Sequence, residues 1–191
     1  MDIVYDEKFK SLEEMFQKAG VVKEGNFTLP DGSSTNKFID VRNAIINPEI
    51  MYEIGIRFRN LLFNNSVELL VPTSSAGLLL TVGLNTAMYI ADRTVNPNTE
   101  SKYTILPVKR DDVTIWPMIP NKLDLYGKTA YLLEAFGSRG TSIWARKVAT
   151  ALRNRGCRIA GMLILVAEKE EMESYHNRVA GNTIALCQVS E

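Results

Sequence analysis

The residues most suited to chemistry form the segment from Gly127 to Ser142, which has the sequence GKTAYLLEAFGSRGTS. The apolar run before Glu134 predicts a buried parallel strand that ends in a carboxylate, because its side chains are apolar on both faces. The loop from Gly137 to Gly140 can present forward-pointing backbone amides, and Thr141 and Ser142 can cap the next helix while offering hydroxyls. Free amides, a positive helix end and glycines favour a phosphate site. The alternative interpretation is an ordinary strand-to-helix turn with an N-cap.

Two further segments predict that this site lies at the edge of a sheet. A short apolar strand from Val67 to Val71 leads into a second small-residue loop, Pro72 to Gly77, and then into an apolar helix from Leu78 to Ala91. A strand from Tyr103 to Val108 ends at the basic pair Lys109-Arg110. Ligands of parallel sheets bind beyond the carboxyl ends of the strands, so we expect both loops and the basic pair at one edge.

The remaining core elements alternate strand and helix, which predicts right-handed βαβ units and a parallel sheet covered on both faces. Asn47 and Pro48 are typical of a cap and a first helical position, and they open a helix that ends near Asn64. The other predicted elements are a helix over 143–152, a strand from Arg158 to Val166, a charged helix from Glu168 to Val179 and a strand from Thr183 to Val189.

The amino-terminal quarter predicts a smaller unit laid over that core. Apolar residues at helical spacing predict an amphipathic helix from Asp6 to Ala19, with Gly20 as its stop. Phe27 to Leu29 and Lys37 to Val41 predict two short strands, joined by a proline- and glycine-bearing turn. We therefore expect a hood, mainly residues 1–47, over a core of residues 48–191, both within a single domain.

The composition excludes some classes of function. Hydrophobic residues make up 46% of the 191 residues and charged residues 23%, which argues against disorder and suffices for a substantial core. The 22 basic residues balance the 22 acidic ones, so no global field favours nucleic acid or an anionic membrane. Any anion site must therefore be local.

The two cysteines and the amino terminus give information about the cellular location of the protein. Cys157 and Cys187 lie far apart in apolar runs, which favours buried free thiols over a disulfide or a metal pair. The amino terminus is acidic and lacks the apolar region of a signal peptide, and no apolar run is long enough to cross a bilayer. These features predict a cytoplasmic protein.

The segment around Glu134 resembles the phosphoribosyl pyrophosphate (PRPP) signature of the type I phosphoribosyltransferases. That signature places four apolar residues, two acids and a hydroxyl-rich glycine loop in succession. The segments from Phe27 to Ser34, Phe38 to Asn43 and Asn47 to Glu49 are similar to the amino-terminal part of the orotate phosphoribosyltransferases. With the loop from Pro72 to Gly77 and the basic pair, the resemblance covers nearly the whole chain.

The resemblance implies an α/β fold of the type I phosphoribosyltransferase kind, with a central parallel sheet flanked by helices, a small amino-terminal hood and a homodimer. It implies transfer of phosphoribosyl from PRPP to orotate, with Mg²⁺ bound mainly through PRPP and no metal site of the protein's own. The residues implied at pyrophosphate are Thr73, Ser74, Ser75, Ala76 and Gly77, and those at the 5′-phosphate are Ser138, Arg139, Gly140, Thr141 and Ser142. The residues implied in catalysis are Glu134, at a ribose hydroxyl, and Lys109 and Arg110, at the diphosphate. Those implied at the base are Lys23 and Phe27.

Departures from the family pattern leave a second function open. Ala135 stands where the family has its second acid. The family's mobile loop carries lysines and a histidine, whereas the segment from Asp111 to Tyr126 has Lys122 as its one lysine and no histidine. Arg139 replaces a small residue, and it can either add a cation to the 5′-phosphate or occupy the site itself. The alternative function is a catalytically impaired family member that binds PRPP or a nucleotide as a regulatory or structural protein.

Overall fold

The computed structural model describes residues 2–5, 12–28, 34–98, 100, 102–110, 115–117 and 124–190. Its strands are β1 (Asp2–Tyr5), β2 (Val22–Thr28), β3 (Ser34–Ile39), β4 (Leu69–Pro72), β5 (Thr104–Ile105), β6 (Val108–Arg110), β7 (Ile115–Pro117), β8 (Thr129–Gly137), β9 (Arg158–Glu168) and β10 (Thr183–Ser190). Its helices are α1 (Glu13–Lys18), α2 (Val41–Ile46), α3 (Pro48–Asn64), α4 (Ser75–Val95), α5 (Arg139–Arg153) and α6 (Met172–Arg178), with a 3-10 helix over Lys169–Glu171.

Six of these strands form one sheet in the order β1-β10-β9-β8-β4-β5. The five strands from β10 to β5 run parallel to their neighbours, and β1 joins the edge antiparallel, with Asp2 opposite Ser190. β4 lies beside β8, with Pro72 opposite Leu133. The predicted parallel sheet flanked by helices is confirmed. β1 was not predicted from the sequence.

The two faces of the sheet are buried by different helices. Along β8, Tyr131 and Leu133 pack with residues of α3 and α4, whereas Ala130 and Leu132 pack with residues of α5 and α6. Successive side chains of a strand point to opposite faces, so a strand covered on both faces must be apolar throughout. This explains the continuous apolar runs that identified the core strands in the sequence.

α3 and α4 follow the predicted pattern with one correction. The side chain of Asn47 caps α3, as predicted. α4 begins at Ser75 rather than at Leu78, because the side chain of Ser74 caps it by accepting a hydrogen bond from the amide of Gly77 at 3.0 Å. Much of the predicted second loop is therefore the first turn of a helix.

The strand predicted from Tyr103 to Val108 was wrong in its extent. β5 is a two-residue strand beside β4, and β6 leaves the sheet to pair antiparallel with β7, with Lys109 opposite Trp116. Pro107 lies between β5 and β6, and a proline has no amide with which to continue a ladder. The basic pair therefore lies on a separate two-stranded ribbon.

The carboxyl-terminal half matches the sequence prediction more closely. The predicted strands β8, β9 and β10 and the predicted helix α5 are all present, each extended by one to several residues. The helix predicted from Glu168 begins later, because β9 extends to Glu168 and a 3-10 helix precedes α6.

The hood contains the predicted hairpin. β2 and β3 pair antiparallel, although β3 ends at Ile39 and Val41 already belongs to α2. The turn into α2 occurs because the carboxylate of Asp40 accepts a hydrogen bond from the amide of Arg42 at 3.2 Å. Gly20 follows α1 in the left-handed conformation, with φ of 64°, as expected for a helix stop. The predicted start of α1, residues 6–11, lies outside the described residues.

The cysteines are buried free thiols, as predicted. Burial raises the pKa of Cys157 to about 11 and that of Cys187 to about 12, so neither thiol is ionised at neutral pH. Within the described residues, no helix combines the length and the apolar character that a membrane span requires.

Candidate functional site

Two helix starts lie next to each other at the carboxyl edge of the sheet. α4 begins after β4, α5 begins after β8, and these two strands are neighbours. The amides in the first turn of a helix have no partner within the helix, and they favour an anion. The structure thus brings the predicted groups Thr73–Gly77 and Ser138–Ser142 to one edge.

The first of these groups is held tightly against β8. The amide of Thr73 donates to the carbonyl of Leu133 at 3.0 Å. Gly77 lies so close to the strand that a β-carbon at this position would be 2.7 Å from the same carbonyl oxygen. Only glycine permits this approach of helix to strand. Ser75 and Ala76, at the first two helical positions, are more exposed than Thr73 and Gly77 and face an incoming ligand more readily.

The second group is organised differently from the prediction. Ser138, not Thr141 or Ser142, is the residue that precedes the first helical position of α5. The hydroxyl of Thr141 accepts a hydrogen bond from the amide of Ser138 at 2.7 Å, and so completes the cap from within the helix. The hydroxyl of Ser142 lies 3.4 Å from a carboxylate oxygen of Glu171. Both hydroxyls that were expected to face phosphate are therefore engaged within the fold.

Gly140 leaves room for a ligand at this turn. A β-carbon at Gly140 would have no heavy atom within 4 Å apart from its own chain neighbours and helix backbone. Close packing therefore does not require this glycine, and the space beside the first turn of α5 is open. The side chain of Arg139 lies outside the described residues, so its two predicted alternatives stay predictions.

Tyr175 was not identified from the sequence as part of this region. Its ring is fully buried under α5, and its hydroxyl lies 2.5 Å from the hydroxyl of Thr141 and 3.2 Å from the carbonyl oxygen of Ser138. Burial raises the pKa of this phenol, so it remains a neutral hydrogen-bonding group. Tyr175 thereby holds the turn that precedes α5. Its position on a short polar helix gave no sequence signal of this contact.

Glu134 occupies the centre of the region, on β8 between the two groups. It is 2% exposed, and its carboxylate accepts hydrogen bonds from the hydroxyls of Thr73 and Ser74. Burial raises the pKa of Glu134, and the hydrogen bonds from these hydroxyls and the nearby amides oppose that rise. Ala135, the position at which the family resemblance leads us to expect a second acid, is fully buried. The predicted contact of Glu134 with a ribose hydroxyl stays a prediction.

The basic pair lies on the ribbon formed by β6 and β7. β7 packs against α5, which places the ribbon on the side of the second predicted group, Ser138–Ser142. The side chains of Lys109 and Arg110 are not among the described ones, and their predicted role at the diphosphate stays a prediction.

The two predicted base contacts, Lys23 and Phe27, both lie on β2. The ammonium group of Lys23 is 2.9 Å from a carboxylate oxygen of Asp40, and the ring of Phe27 lies beside Gly25. α2, which follows this hairpin, packs against α3 and α4. The hairpin is therefore joined to the side of the sheet that those two helices cover, whereas β1, from the same predicted hood, belongs to the sheet itself.

The ion pair in the hood makes stability depend on pH. The hydrogen bond from Lys23 is the main cause that lowers the pKa of Asp40 from 3.8 to about 2. A lowered folded-state pKa stabilises the fold above the unfolded-state pKa, and this contribution is lost as the pH falls from 3.8 through 2. We expect Asp40→Asn to reduce the free energy of unfolding by about 1 kcal/mol at pH 7. Urea unfolding of the wild-type protein and of Asp40→Asn should give free energies of unfolding that converge near pH 2. The control is Glu24→Gln, next to Lys23 on β2, which should leave the free energy of unfolding unchanged at pH 7 and at pH 2.

The described residues offer no group of three or more histidine, cysteine, aspartate or glutamate side chains that could hold a metal ion. The carboxylate predicted in the site, that of Glu134, is already bonded to two hydroxyls. Among the described side chains, these donors do not form a metal site.

A shallow cavity of about 600 Å³ lies elsewhere, near the carboxyl end of α4. Its walls include Asn85, Tyr89, Arg93 and Glu100. α4 has 21 residues, and its Ser75 end carries the first predicted group, so the cavity is roughly 20 Å from that group at 1.5 Å per residue. It does not belong to the candidate site.

Comparisons with solved structures address the fold. The chain is similar to Leishmania donovani UMP synthase with a TM-score of 0.64 and 18% identity, and the match covers 94% of this chain but only 35% of that one. Orotate phosphoribosyltransferase from Aeropyrum pernix matches with a TM-score of 0.62, 17% identity and 93% coverage of both chains. Adenine phosphoribosyltransferase from Saccharomyces cerevisiae matches with a TM-score of 0.61 and 13% identity, over 93% of this chain and 99% of that one.

No protein-family model matches the sequence, and no curated protein does either. The likeness is therefore one of architecture, shared about equally with proteins named for orotate and for adenine. The parallel sheet, the helices on both of its faces and the two helix starts at its carboxyl edge together show that this chain has the type I phosphoribosyltransferase fold.

Proposed function

We propose that the protein is a phosphoribosyltransferase that binds PRPP between Thr73–Gly77 and Ser138–Ser142. The observation that supports this most is the pair of helix starts after two adjacent parallel strands, β4 and β8. One such turn is a common anion site. Two neighbouring turns suit a ligand that carries phosphate groups at both ends of a sugar.

The proposed roles divide between the two turns. The first turn of α4, with the amides of Ser75 and Ala76, takes the pyrophosphate. The first turn of α5, where Gly140 leaves open space, takes the 5′-phosphate. Lys109 and Arg110, on the ribbon of β6 and β7, neutralise the diphosphate in this proposal, as the family resemblance implies.

The proposed reaction requires electrostatic stabilisation of its transition state and does not require a covalent nucleophile. The bond from C1′ to the pyrophosphate oxygen breaks while the bond from C1′ to a nitrogen of the base forms. Positive charge develops on the ribose and negative charge on the leaving group. Helix-start amides and cations at the diphosphate stabilise that leaving group more in the transition state than in the ground state, which is what accelerates the step.

The base that we propose is orotate, so the products are orotidine 5′-phosphate and pyrophosphate, as in pyrimidine biosynthesis. The support is the β2–β3 hairpin, whose sequence resembles that of the orotate enzymes and whose antiparallel pairing is observed. In this proposal Lys23 and Phe27 cover the base. We propose that the protein acts in the cytoplasm.

Mg²⁺ enters this proposal only with PRPP, as part of the substrate. The described side chains do not form a site for it, and substrate oxygens and water are ligands that Mg²⁺ accepts readily. No step of the reaction is assigned to a metal held by the protein.

We also propose a homodimer that forms through the outer face of α4. Leu79, Val82 and Ile90 expose 61%, 47% and 52% of their surface on this face, and the sequence from Thr73 to Ala91 has no charged residue. A two-fold interface places a surface against its own copy, so an uncharged apolar face avoids self-repulsion. Light scattering should give twice the 21.4 kDa of one chain.

A second function is favoured by one specific observation. Ala135 is buried and apolar, and Glu134 is bonded to Thr73 and Ser74, so β8 presents no free carboxylate to the ribose within the described residues. A protein of this kind can bind PRPP or a nucleotide without turning it over. It would then act as a regulatory or structural protein.

One experiment separates the two functions. The purified protein is mixed with PRPP, Mg²⁺ and orotate, and the absorbance of orotate is followed, with adenine in a parallel reaction. Loss of orotate absorbance that requires PRPP supports the orotate enzyme, and consumption of adenine instead would assign another base. Saturable binding of PRPP in calorimetry without turnover supports the second function. Absence of both turnover and binding would reject the two proposals together.

A further inference from the structure

The carboxylate of Glu134 is fully engaged by the loop that faces it. Its Oε2 accepts a hydrogen bond from the hydroxyl of Thr73 at 2.7 Å. Its Oε1 accepts hydrogen bonds from the hydroxyl of Ser74 at 2.5 Å and from the amide of Ala135 at 2.8 Å. Both oxygens of a nearly inaccessible carboxylate are thus occupied by groups of the chain itself.

These contacts continue into the first turn of α4. Ser74 donates its hydroxyl proton to Glu134 and accepts the amide proton of Gly77 on the same oxygen. The orientation of the Ser74 hydroxyl is therefore set by the carboxylate. Because the carboxyl group is buried away from water, such a bond is strong and its geometry is fixed. Glu134 is thereby linked through Ser74, the cap of α4, to the first turn of that helix.

We infer that Glu134 is a positioning residue for the pyrophosphate loop rather than a ligand of the ribose hydroxyls. This inference rests on the proposed function, because it assigns the loop to pyrophosphate. For Glu134 to bind ribose, its carboxylate would have to leave Thr73 and Ser74 and reach the surface from a site that is 2% exposed. Buried polar groups rarely give up their partners without a large cost.

If Glu134 does not bind ribose, the affinity of the site should not depend on the hydroxyl groups of the sugar. With Glu134 engaged and Ala135 apolar, β8 offers no carboxylate to the 2′- or 3′-hydroxyl of a ribose. Recognition of the ligand then depends on its phosphate groups. Ribose 5-phosphate and 2-deoxyribose 5-phosphate should bind the wild-type protein with affinities that agree within about twofold, because no buried partner is left unpaired by the missing hydroxyl.

Calorimetry with two separate ligands tests the role directly. Glu134→Ala should weaken binding of pyrophosphate by about tenfold, since the loop loses the hydrogen bonds that hold Thr73 and Ser74, while ribose 5-phosphate binding stays within about twofold. Thr73→Val should show the same pattern to a smaller degree, and Glu134→Gln should recover part of the loss. The opposite pattern, in which Glu134→Ala weakens ribose 5-phosphate binding and leaves pyrophosphate binding intact, would overturn the inference.

Amide hydrogen exchange measures the order of the loop without any ligand, so it tests the positioning role of Glu134 separately from binding. In Glu134→Ala the amides from Thr73 to Leu78 should exchange faster, whereas those of β9 should not change. The matched control is Thr183→Val, which removes a buried hydroxyl bond of 2.6 Å at the amino-terminal end of β10, away from the loops. If the wild-type protein binds neither ligand, the proposed function fails, and the exchange data still decide the positioning role. Unchanged exchange from Thr73 to Leu78 would overturn it.

Discussion

Replacing Gly140 with aspartate is expected to abolish phosphate binding while making the protein more stable. A β-carbon at this position would meet no heavy atom within 4 Å apart from its chain neighbours and helix backbone, so the substitution adds no strain. Aspartate in place of a helical glycine near a helix start should raise the free energy of unfolding by about 1 kcal/mol. Its carboxylate would stand where the 5′-phosphate is proposed to bind, and repulsion at about 4 Å should weaken PRPP binding at least about 100-fold. Calorimetry and urea unfolding measure the two effects.

The control for this variant is Gly181→Asp. Gly181 likewise has open space around its β-carbon position and a φ outside the left-handed region, but it lies in the turn before β10. The Gly181→Asp variant adds the same single negative charge to the protein, but it adds this charge away from the candidate site. PRPP binding should not change in this variant. An equal loss in both variants would show that net charge, and not the turn before α5, governs binding.

Replacing Gly77 with alanine is expected to damage both the fold and the site. The added methyl group would lie 2.7 Å from the carbonyl oxygen of Leu133, which belongs to the backbone of a central strand and cannot move aside. α4 must then shift away from β8. We expect the free energy of unfolding to fall by about 2 kcal/mol, and pyrophosphate binding to weaken about tenfold because the first-turn amides are displaced. Chemical unfolding and calorimetry test these values.

Gly83→Ala, in the same helix, is the matched control. Its added methyl group would meet the terminal carbon of Met51 at 2.9 Å, which is the flexible end of a side chain. Alanine is also the better helix former, so stability should stay constant or rise by about 0.5 kcal/mol. Equal destabilisation by both substitutions would mean that α4 is not held closely against β8.

The core of the fold could be predicted because local signals and burial agree there. β8 and β9 are apolar on both faces, and Asn47 and Pro48 identify the start of α3 without reference to the rest of the chain. The exceptions are elements defined by distant partners. β1 is a four-residue strand whose partner, β10, lies at the other end of the chain. A short segment of this kind carries too little periodicity to be recognised.

The sequence predicted that the two small-residue turns lie at one edge of the sheet, but it did not predict their internal contacts. Both turns could be located because glycine and hydroxyl residues follow apolar runs, although the helices begin earlier than predicted, at Ser75 and Arg139. The sequence could not indicate that the hydroxyls of Thr73 and Thr141 turn inward, toward Glu134 and Tyr175. Such contacts span 61 and 34 positions of the chain, and they depend on how the helices pack against the sheet.

The antiparallel pairing of β1 with β10 gives the sheet a mechanical weak point. Asp2 lies opposite Ser190, and the pairing continues to Tyr5 opposite Cys187. Handles attached at positions 2 and 190 would pull on the two members of the outermost pair. Tension would then open the ladder one pair at a time, as in a zipper, instead of shearing all its bonds together. The first strand should therefore peel away at low force while the parallel strands behind it remain assembled.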